Sequence, residues 1–152
     1  MAQGADLVIV AADWRGYSRR PDAAAMMGDL DPSLRELSAR GIPVVVLGPP
    51  IQFRGSLPSM ILRADVRQLD PSSLDDLVLP DIFTLDTTMK AAMPPMPDIS
   101  YVSVLDAACP RGKCPVYAGD GIPLAFDQAH LTAEGSALVM RTIFPKLKIP
   151  AK

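Results

Sequence analysis

The sequence of 152 residues contains few aromatic side chains, two cysteines and a single histidine. Its 15 basic and 17 acidic residues are interspersed, so no basic stripe is available to bind phosphates and we predict no nucleic-acid partner. The longest apolar runs, at 7–12 and 44–47, are far shorter than the roughly 20 residues of a transmembrane helix. The N-terminus has neither the basic nor the apolar region of a secretory signal, so we expect no signal peptide in this chain.

Apolar residues are nevertheless plentiful. They make up 49% of the chain, which is enough to build a core and too much for a disordered protein. The length is that of one ordinary domain, and we therefore predict a single domain over residues 1–152.

The N-terminal third has the pattern of a strand, a helix and a second strand. Segments 6–12 and 43–48 are continuous, β-branched apolar runs, which is typical of parallel strands that helices cover on both faces. Between them, Asp31 and Pro32 are suited to begin a helix and Gly41 to end it. Such a unit closes right-handed onto a parallel sheet, so the fold class is predicted to be α/β.

The rest of the chain alternates helix and strand signals with proline-rich loops. We predict a strand at 99–105 and a final helix that Thr132 caps. Less regular patterns predict helices at 59–67, 71–78 and 86–93, and a short helix near 23–27.

The residues most suited to chemistry are Asp127 and His130. A histidine that acts as a general base needs one ring nitrogen free for the nucleophile's proton, while a carboxylate holds the other. A spacing of three residues before a helix lets Asp127 reach the ring locally. The alternative is that Asp127 caps a turn and His130 is only a polar surface residue, because short motifs often match by chance.

The surrounding sequence resembles the SGNH (GDSL-like) hydrolases. The string Asp-x-x-His-Leu-Thr-x-x-Gly at 127–135 is similar to the last block of that family. The Cys-Pro-Arg-Gly-Lys-Cys-Pro loop at 109–115 and the Gly-x-Pro-Leu-x-Phe-Asp run at 121–127 resemble the SGNH domain attached to bacterial membrane O-acyltransferases. Segments 5–14 and 41–50 are also similar to that subfamily, whereas 54–97 matches least.

This resemblance implies a three-layer sandwich with a parallel sheet, SGNH/flavodoxin-like, from which the N-terminal strands are missing. The family places its nucleophilic serine in a Gly-Asp-Ser context after the first strand, and the nearest string here has Leu30 in that place. The family's oxyanion asparagine is also absent, because Ala12, Asp13 and Trp14 occupy its neighbourhood. A chain that begins at the third strand leaves a sheet edge open, so we expect a marginally stable monomer.

The resemblance also implies a function. The family consists of serine esterases and O-acyltransferases that handle acyl groups, acetyl above all, on cell-surface polysaccharides in the periplasm, without a cofactor. Asp127 would orient His130 as the base, and the serine would come from sequence absent here. We therefore expect the isolated chain to have little or no activity. Its partners would be an acylated carbohydrate or acyl-carrying small molecule, and a membrane acyltransferase domain or the missing half of the domain.

Other functions remain open at this point. The chain could be a non-catalytic remnant that binds or scaffolds. Three loop serines, Ser18, Ser56 and Ser59, could replace the missing nucleophile, although nothing in the sequence favours any one of them. Trp14 lies just after the first predicted strand, where open α/β sheets bind ligands, but a packing role is an equal alternative.

The cysteine pair, Cys109 and Cys114, has three interpretations. A disulfide is favoured, because it would stabilise the segment that leads to Asp127 and His130 and would suit an oxidising compartment. Free thiols are the second. A small metal-binding module that includes His130 is the third, but one histidine is too few for a convincing zinc site, so we predict no metal.

Overall fold

The computed structural model describes residues 5–20, 30–73 and 77–147. Its strands are β1 (Val8–Val10), β2 (Val44–Leu47), β3 (Ile99–Val102), β4 (Tyr117–Gly119) and β5 (Ile122–Pro123). Its α-helices are α1 (Trp14–Ser18), α2 (Leu30–Ala39), α3 (Leu57–Val66), α4 (Asp81–Ala92), α5 (Val104–Ala108) and α6 (Ala133–Ile143). Short 3₁₀ helices cover Pro71–Ser73, Pro110–Gly112 and Phe144–Lys146.

The main sheet is parallel and has the order β1-β2-β3. In the central strand, Val45 pairs with Ile9 of β1 and with Ser100 of β3. The helix between β1 and β2 ends at Ala39, and Gly41 then adopts a φ of +70°, a conformation that glycine reaches without strain. The predicted α/β class with a parallel sheet is therefore confirmed.

The central strand divides the core into two layers. Val45 faces one cluster, which α3, α5 and α6 cover, whereas Val44 and Val46 face another cluster, which contains Trp14. This alternation follows from the two-residue period of a strand, because successive side chains point to opposite faces. All three valines are almost completely buried, as a central strand with helices on both sides requires.

The burial of the first strand differs from the prediction. Ile9 is 48% exposed, so the prediction that this run is buried on both faces is wrong for β1. Among the described residues β1 pairs with β2 alone and forms one edge of the sheet. Because a β-branched run is compatible with both central and edge strands, the sequence pattern does not separate the two.

Several predicted elements have different bounds in the structure. Within the predicted helix at 71–78, Pro71–Ser73 is a short 3₁₀ helix and residues 74–76 lie outside the described residues. The prediction is wrong for its last residue, because Val78 pairs with Phe53 in an isolated bridge. Helix α4 begins at Asp81, earlier than predicted. The third strand ends at Val102, because the Ser103 hydroxyl accepts the Asp106 amide and begins α5. The predicted helix near 23–27 lies outside the described residues.

A buried carboxylate joins α4 to the carboxyl end of β3. Asp86 is 5% exposed and accepts hydrogen bonds from the Tyr101 Oη and the Ser103 Oγ, both at 2.6 Å. Burial and the hydrogen bond to this carboxylate raise the pKa of Tyr101. Gly48 follows β2 and lies so close that a Cβ atom there would clash with Asp86 and Tyr101. The glycine lets the β2 backbone pass over this cluster.

We expect Asp86→Ala to lower the free energy of unfolding by about 2–4 kcal/mol, because it leaves the buried Ser103 hydroxyl and the half-buried Tyr101 hydroxyl without their carboxylate acceptor. Denaturant unfolding followed by circular dichroism measures the change. Asp98→Ala is the control, since Asp98 is exposed and contributes only its backbone carbonyl to the sheet. Equal losses in both variants would contradict the proposed role of the buried cluster.

Candidate functional site

The candidate site is a tight turn between two short extended segments. Ala125 and Leu131 form an antiparallel bridge, and the Phe126 amide donates to the His130 carbonyl at 3.0 Å. The Thr132 amide closes the base of the turn on the Leu124 carbonyl, also at 3.0 Å. The residues between these bonds therefore form a small hairpin.

Helix α6 begins directly after the turn. The Thr132 Oγ1 caps the helix by accepting the Gly135 amide at 3.0 Å, and it donates to the Pro123 carbonyl at 2.9 Å. Gly135 packs against the Leu124 carbonyl so closely that a Cβ atom would clash with it. The threonine and glycine of the 127–135 string are thus the residues that join the turn to the helix.

Asp127 and His130 lie together in this turn. The His130 Nδ1 is 2.7 Å from the Asp127 Oδ2, and the side chains are 72% and 41% exposed. The other carboxylate oxygen, Oδ1, accepts the backbone amides of Ala129 and His130, both at 2.8 Å. Because Nδ1 faces the carboxylate, Nε2 is the ring nitrogen left to accept a proton from another group. The imidazole is therefore neither buried in the core nor turned away from Asp127.

The same bonds set the charge of Asp127. The Ala129 amide, the His130 amide and the His130 ring, in that order, lower the pKa of Asp127 from 3.8 to about 2. The carboxylate therefore stays ionised well below neutral pH. An ionised partner is what an imidazole needs when it takes up a proton.

The segment after β2 holds the turn in place. The Phe53 amide donates to the Gln128 carbonyl at 2.8 Å, and the Leu57 amide donates to the Asp127 carbonyl at 3.2 Å. The neighbouring Gln52 is 7% exposed, and its Nε2 donates to the Asp13 Oδ1 at 3.1 Å. The loops after β1 and β2 and the Asp127 turn are thereby joined at one edge of the sheet, the carboxyl edge, where open α/β sheets bind ligands.

Trp14 is placed beside this edge but in the core. It is 6% exposed, and its Nε1 donates to the Leu47 carbonyl at 2.7 Å. This is the packing role that the sequence left open, and a contact between Trp14 and substrate stays a prediction.

The structure joins Cys109 and Cys114 in a disulfide. Cys109 is buried in the core cluster, and the segment continues into the β4–β5 hairpin, where the Leu124 amide donates to the Val116 carbonyl at 2.8 Å. The bridge therefore lies on the stretch of chain that leads into the Asp127 turn. It also occupies both thiols that the metal-binding alternative needs. In the described ranges, no group of three or more potential ligands is suitably placed to hold a metal ion.

The three candidate serines have hydrogen bonds elsewhere, and the prediction that all three lie in loops is wrong, because Ser18 ends α1 and Ser59 lies in the first turn of α3. The Ser18 Oγ donates to the Arg15 carbonyl, and the Ser59 Oγ donates to the Ser56 Oγ at 3.4 Å. Ser56 precedes Leu57 and so lies in the segment that holds the turn, but its described bond is not to His130. The Gly-Asp of the 28–30 string lies outside the described residues.

Two residues near the site were not predicted from the sequence. The Phe126 ring stacks on the His130 ring, with centroids 5.6 Å apart and planes inclined by 15°. The hint in the sequence is an aromatic residue directly before Asp127. No sequence pattern indicates a role for Gln52, because its bond to Asp13 spans 39 positions of the chain and depends on the folded sheet.

Comparison with known proteins assigns the family. The family model of the SGNH domain that is fused to AT3 domains matches residues 1–145. The chain therefore belongs to this SGNH domain family. No curated protein matches it significantly.

One solved structure has a similar fold. It is the periplasmic domain of a lipopolysaccharide acetyltransferase from Salmonella ser. Paratyphi A, with a TM-score of 0.77 and 21% sequence identity. The match covers 93% of this chain and 56% of that one, so the chain spans little more than half of its structural neighbour. The predicted SGNH-like architecture is confirmed. Of the helices that the structure describes, none is both long and apolar enough to cross a bilayer.

We expect the Asp127 carboxyl carbon to titrate by NMR with a midpoint near pH 2. Because the pKa is lowered in the folded state, this carboxylate stabilises the fold above its ordinary pKa of 3.8, and the contribution disappears as the pH falls toward 2. In His130→Ala the pKa should rise only part of the way, since the backbone amides, the largest cause, remain. A wild-type midpoint near the ordinary value would contradict the described geometry.

The disulfide predicts no free thiols when the protein is denatured without reductant and titrated with a thiol reagent. Replacing both cysteines by alanine should lower the free energy of unfolding by about 2 kcal/mol, because the bridge restricts a short loop of the unfolded chain. Denaturant unfolding of the double variant and the wild type measures this difference. Two titratable thiols in protein from an oxidising compartment would show that the bridge does not form.

Proposed function

We propose that this SGNH domain contributes the Asp127–His130 half of a serine esterase or O-acyltransferase site that acts on acyl groups, acetyl above all, of cell-surface polysaccharide. The observation that carries the proposal is the 2.7 Å contact between the His130 Nδ1 and the Asp127 Oδ2, which leaves Nε2 exposed and available as a base. Membership of the SGNH family supports this assignment.

The proposed chemistry is acyl transfer through a serine. The Nε2 of His130 takes the serine proton as the serine oxygen attacks the acyl carbonyl, and the resulting imidazolium is stabilised by the Asp127 carboxylate. The imidazolium then gives its proton to the departing alcohol. An acceptor hydroxyl, or water, reverses the sequence and releases the acyl group. In this proposal the serine comes from a Gly-Asp-Ser segment outside this sequence.

The exposed edge of the sheet supports a place for that segment. Within the described part of the chain, β1 has β2 as its single partner, and its Ile9 side chain is 48% exposed. A parallel strand added along β1 would end at the carboxyl edge, beside Asp13 and the loops that hold the Asp127 turn. We propose that the remaining half of the domain binds there.

The substrate and compartment follow from the structural neighbour by analogy. That neighbour is the periplasmic domain of a lipopolysaccharide acetyltransferase, which favours an acetylated carbohydrate and a periplasmic location for this chain too. The Cys109–Cys114 disulfide is in keeping with an oxidising compartment. The description of the family as fused to AT3 domains favours a membrane acyltransferase domain as partner.

We expect the isolated chain to hydrolyse a chromogenic acetyl ester no faster than its His130→Ala variant, because among the described residues no serine is hydrogen-bonded to the His130 ring. Ser56→Ala is the matched control, since Ser56 is the loop serine in the segment that holds the turn. A rate that either change abolishes would contradict the proposal that the nucleophile lies elsewhere.

The second part of this experiment adds to the chain the segment that is proposed to carry the serine. The DNA upstream of the first codon is searched for an in-frame Gly-Asp-Ser, and the encoded segment is produced together with this chain. Activity should then appear and should fall by about 10³-fold or more in His130→Ala and in the serine variant. Failure to find such a segment, or activity that His130→Ala leaves unchanged, would refute the proposed function.

A further inference from the structure

Phe126 is an exposed aromatic residue in direct contact with the histidine of the candidate site. It is 61% exposed, and its ring stacks on the His130 imidazole with centroids 5.6 Å apart and planes inclined by 15°. Exposing an aromatic ring to water leaves a large apolar area unburied, so the structure gains little stability from the position of Phe126. Its one described ring contact is with His130.

The backbone explains why the two rings meet. The bridge between Ala125 and Leu131 makes the next residues, Phe126 and His130, a directly opposed pair, and the Phe126 amide donates to the His130 carbonyl. Directly opposed residues of an antiparallel pair have close side chains that interact on one face. The stacking is therefore built into the hairpin and does not depend on a distant part of the fold.

The hydrogen bond to Asp127 alone does not fix the imidazole. One contact between Nδ1 and Oδ2 holds a single atom of the ring, and a side chain that is 72% exposed can still turn about that contact. The Phe126 ring, which is stacked on one face of the imidazole, also restricts the plane of the imidazole. With one atom and the plane both restrained, the direction in which Nε2 points is determined.

We propose that Phe126 is a positioning residue, which holds the plane of the His130 ring so that Nε2 faces the place where the nucleophile must arrive. This inference deepens the proposed function and rests on it for its purpose. The restraint on the imidazole is itself a property of this chain, and it can be measured without a serine or a substrate.

The test is NMR of the imidazole nitrogens at about pH 8.5, where an ordinary imidazole is neutral. The variants are Phe126→Leu, which removes the ring, and Phe126→Tyr, which keeps it. Phe144→Leu is the matched control, because Phe144 is 59% exposed and lies beyond the end of α6. The readouts are the share of the tautomer protonated at Nδ1 and the rate at which that proton exchanges with water.

We expect Phe126→Leu to speed Nδ1 proton exchange about two- to tenfold, the factor that corresponds to the loss of one aromatic pair, and to reduce the share of this tautomer. Phe126→Tyr and Phe144→Leu should stay close to the wild type. Phe126→Met replaces the leucine variant if that variant does not fold, which the thermal unfolding midpoint checks.

The proposal is overturned if removal of the Phe126 ring leaves both readouts unchanged, or if Phe144→Leu changes them equally. The outcome is separable from that of the esterase experiments. Faster exchange with no activity in the reunited domain would sustain the positioning role and reject the proposed function. Unchanged exchange of the Nδ1 proton with restored activity would reject the positioning role and sustain the proposed function.

Discussion

The carboxylate of Asp127 folds the turn and orients the histidine with the same two oxygens. Oδ1 accepts the amides of Ala129 and His130, which curls the backbone, and Oδ2 contacts the His130 ring. Because amide donors favour the charged form of an acid, the bonds that shape the turn also keep the carboxylate ionised. The hydrogen-bond partner of the imidazole Nδ1 and the negative charge beside it therefore have one cause, and a change that disturbs the turn disturbs both.

The position of this turn in the domain depends on the parallel sheet. Parallel strands end at a common edge, so the loops after β1 and β2 emerge as neighbours, and the bond between Gln52 and Asp13 joins them. The amides of Phe53 and Leu57 then fasten the Asp127 turn to the second of these loops. Below them, the buried Asp86 carboxylate joins α4 to β3, where Gly48 allows close approach. A local turn is thus attached to a rigid edge by bonds between residues far apart in sequence.

This division between local and distant contacts explains what could be predicted from the sequence. The pairing of Asp127 with His130 spans three residues, and the left-handed Gly41 responds to the helix directly before it, so both patterns are visible in the residues themselves. The three strands of the main sheet and the helix between the first two are also carried by local patterns of apolar residues. For these features the predictions and the structure agree.

Prediction failed where distant residues decide the outcome. Asp70 and Pro71 are good helix-starting residues, but the end of the predicted helix at 71–78 is not helical, since Val78 forms an isolated bridge with Phe53. The backbone amide and carbonyl groups around Leu77 and Val78 pair there with the segment that follows β2, and Leu77 enters the core. Burial and backbone pairing with a remote segment outweigh helix propensity, which is worth less than 1 kcal/mol per residue. The exposed Ile9 has the same kind of explanation, because the residues of a strand do not determine which other strands pair with it.

Because the Asp127 turn is formed by local bonds, the rest of an SGNH domain is not needed to bring His130 and Asp127 together. The bonds that hold Asp127 against His130 come from residues 125–131, and those that fasten the turn come from the segment after β2, so this chain's own residues bring the two side chains together. In the proposed function, the nucleophile then has to bring its oxygen within hydrogen-bond distance of Nε2, about 2.6–3.2 Å, along a direction already set. Preorganisation of this kind lowers the entropic cost of forming the complete site. In the proposed function, the Asp127–His130 pair is half of a site, and activity depends on the segment that completes the sheet beside β1.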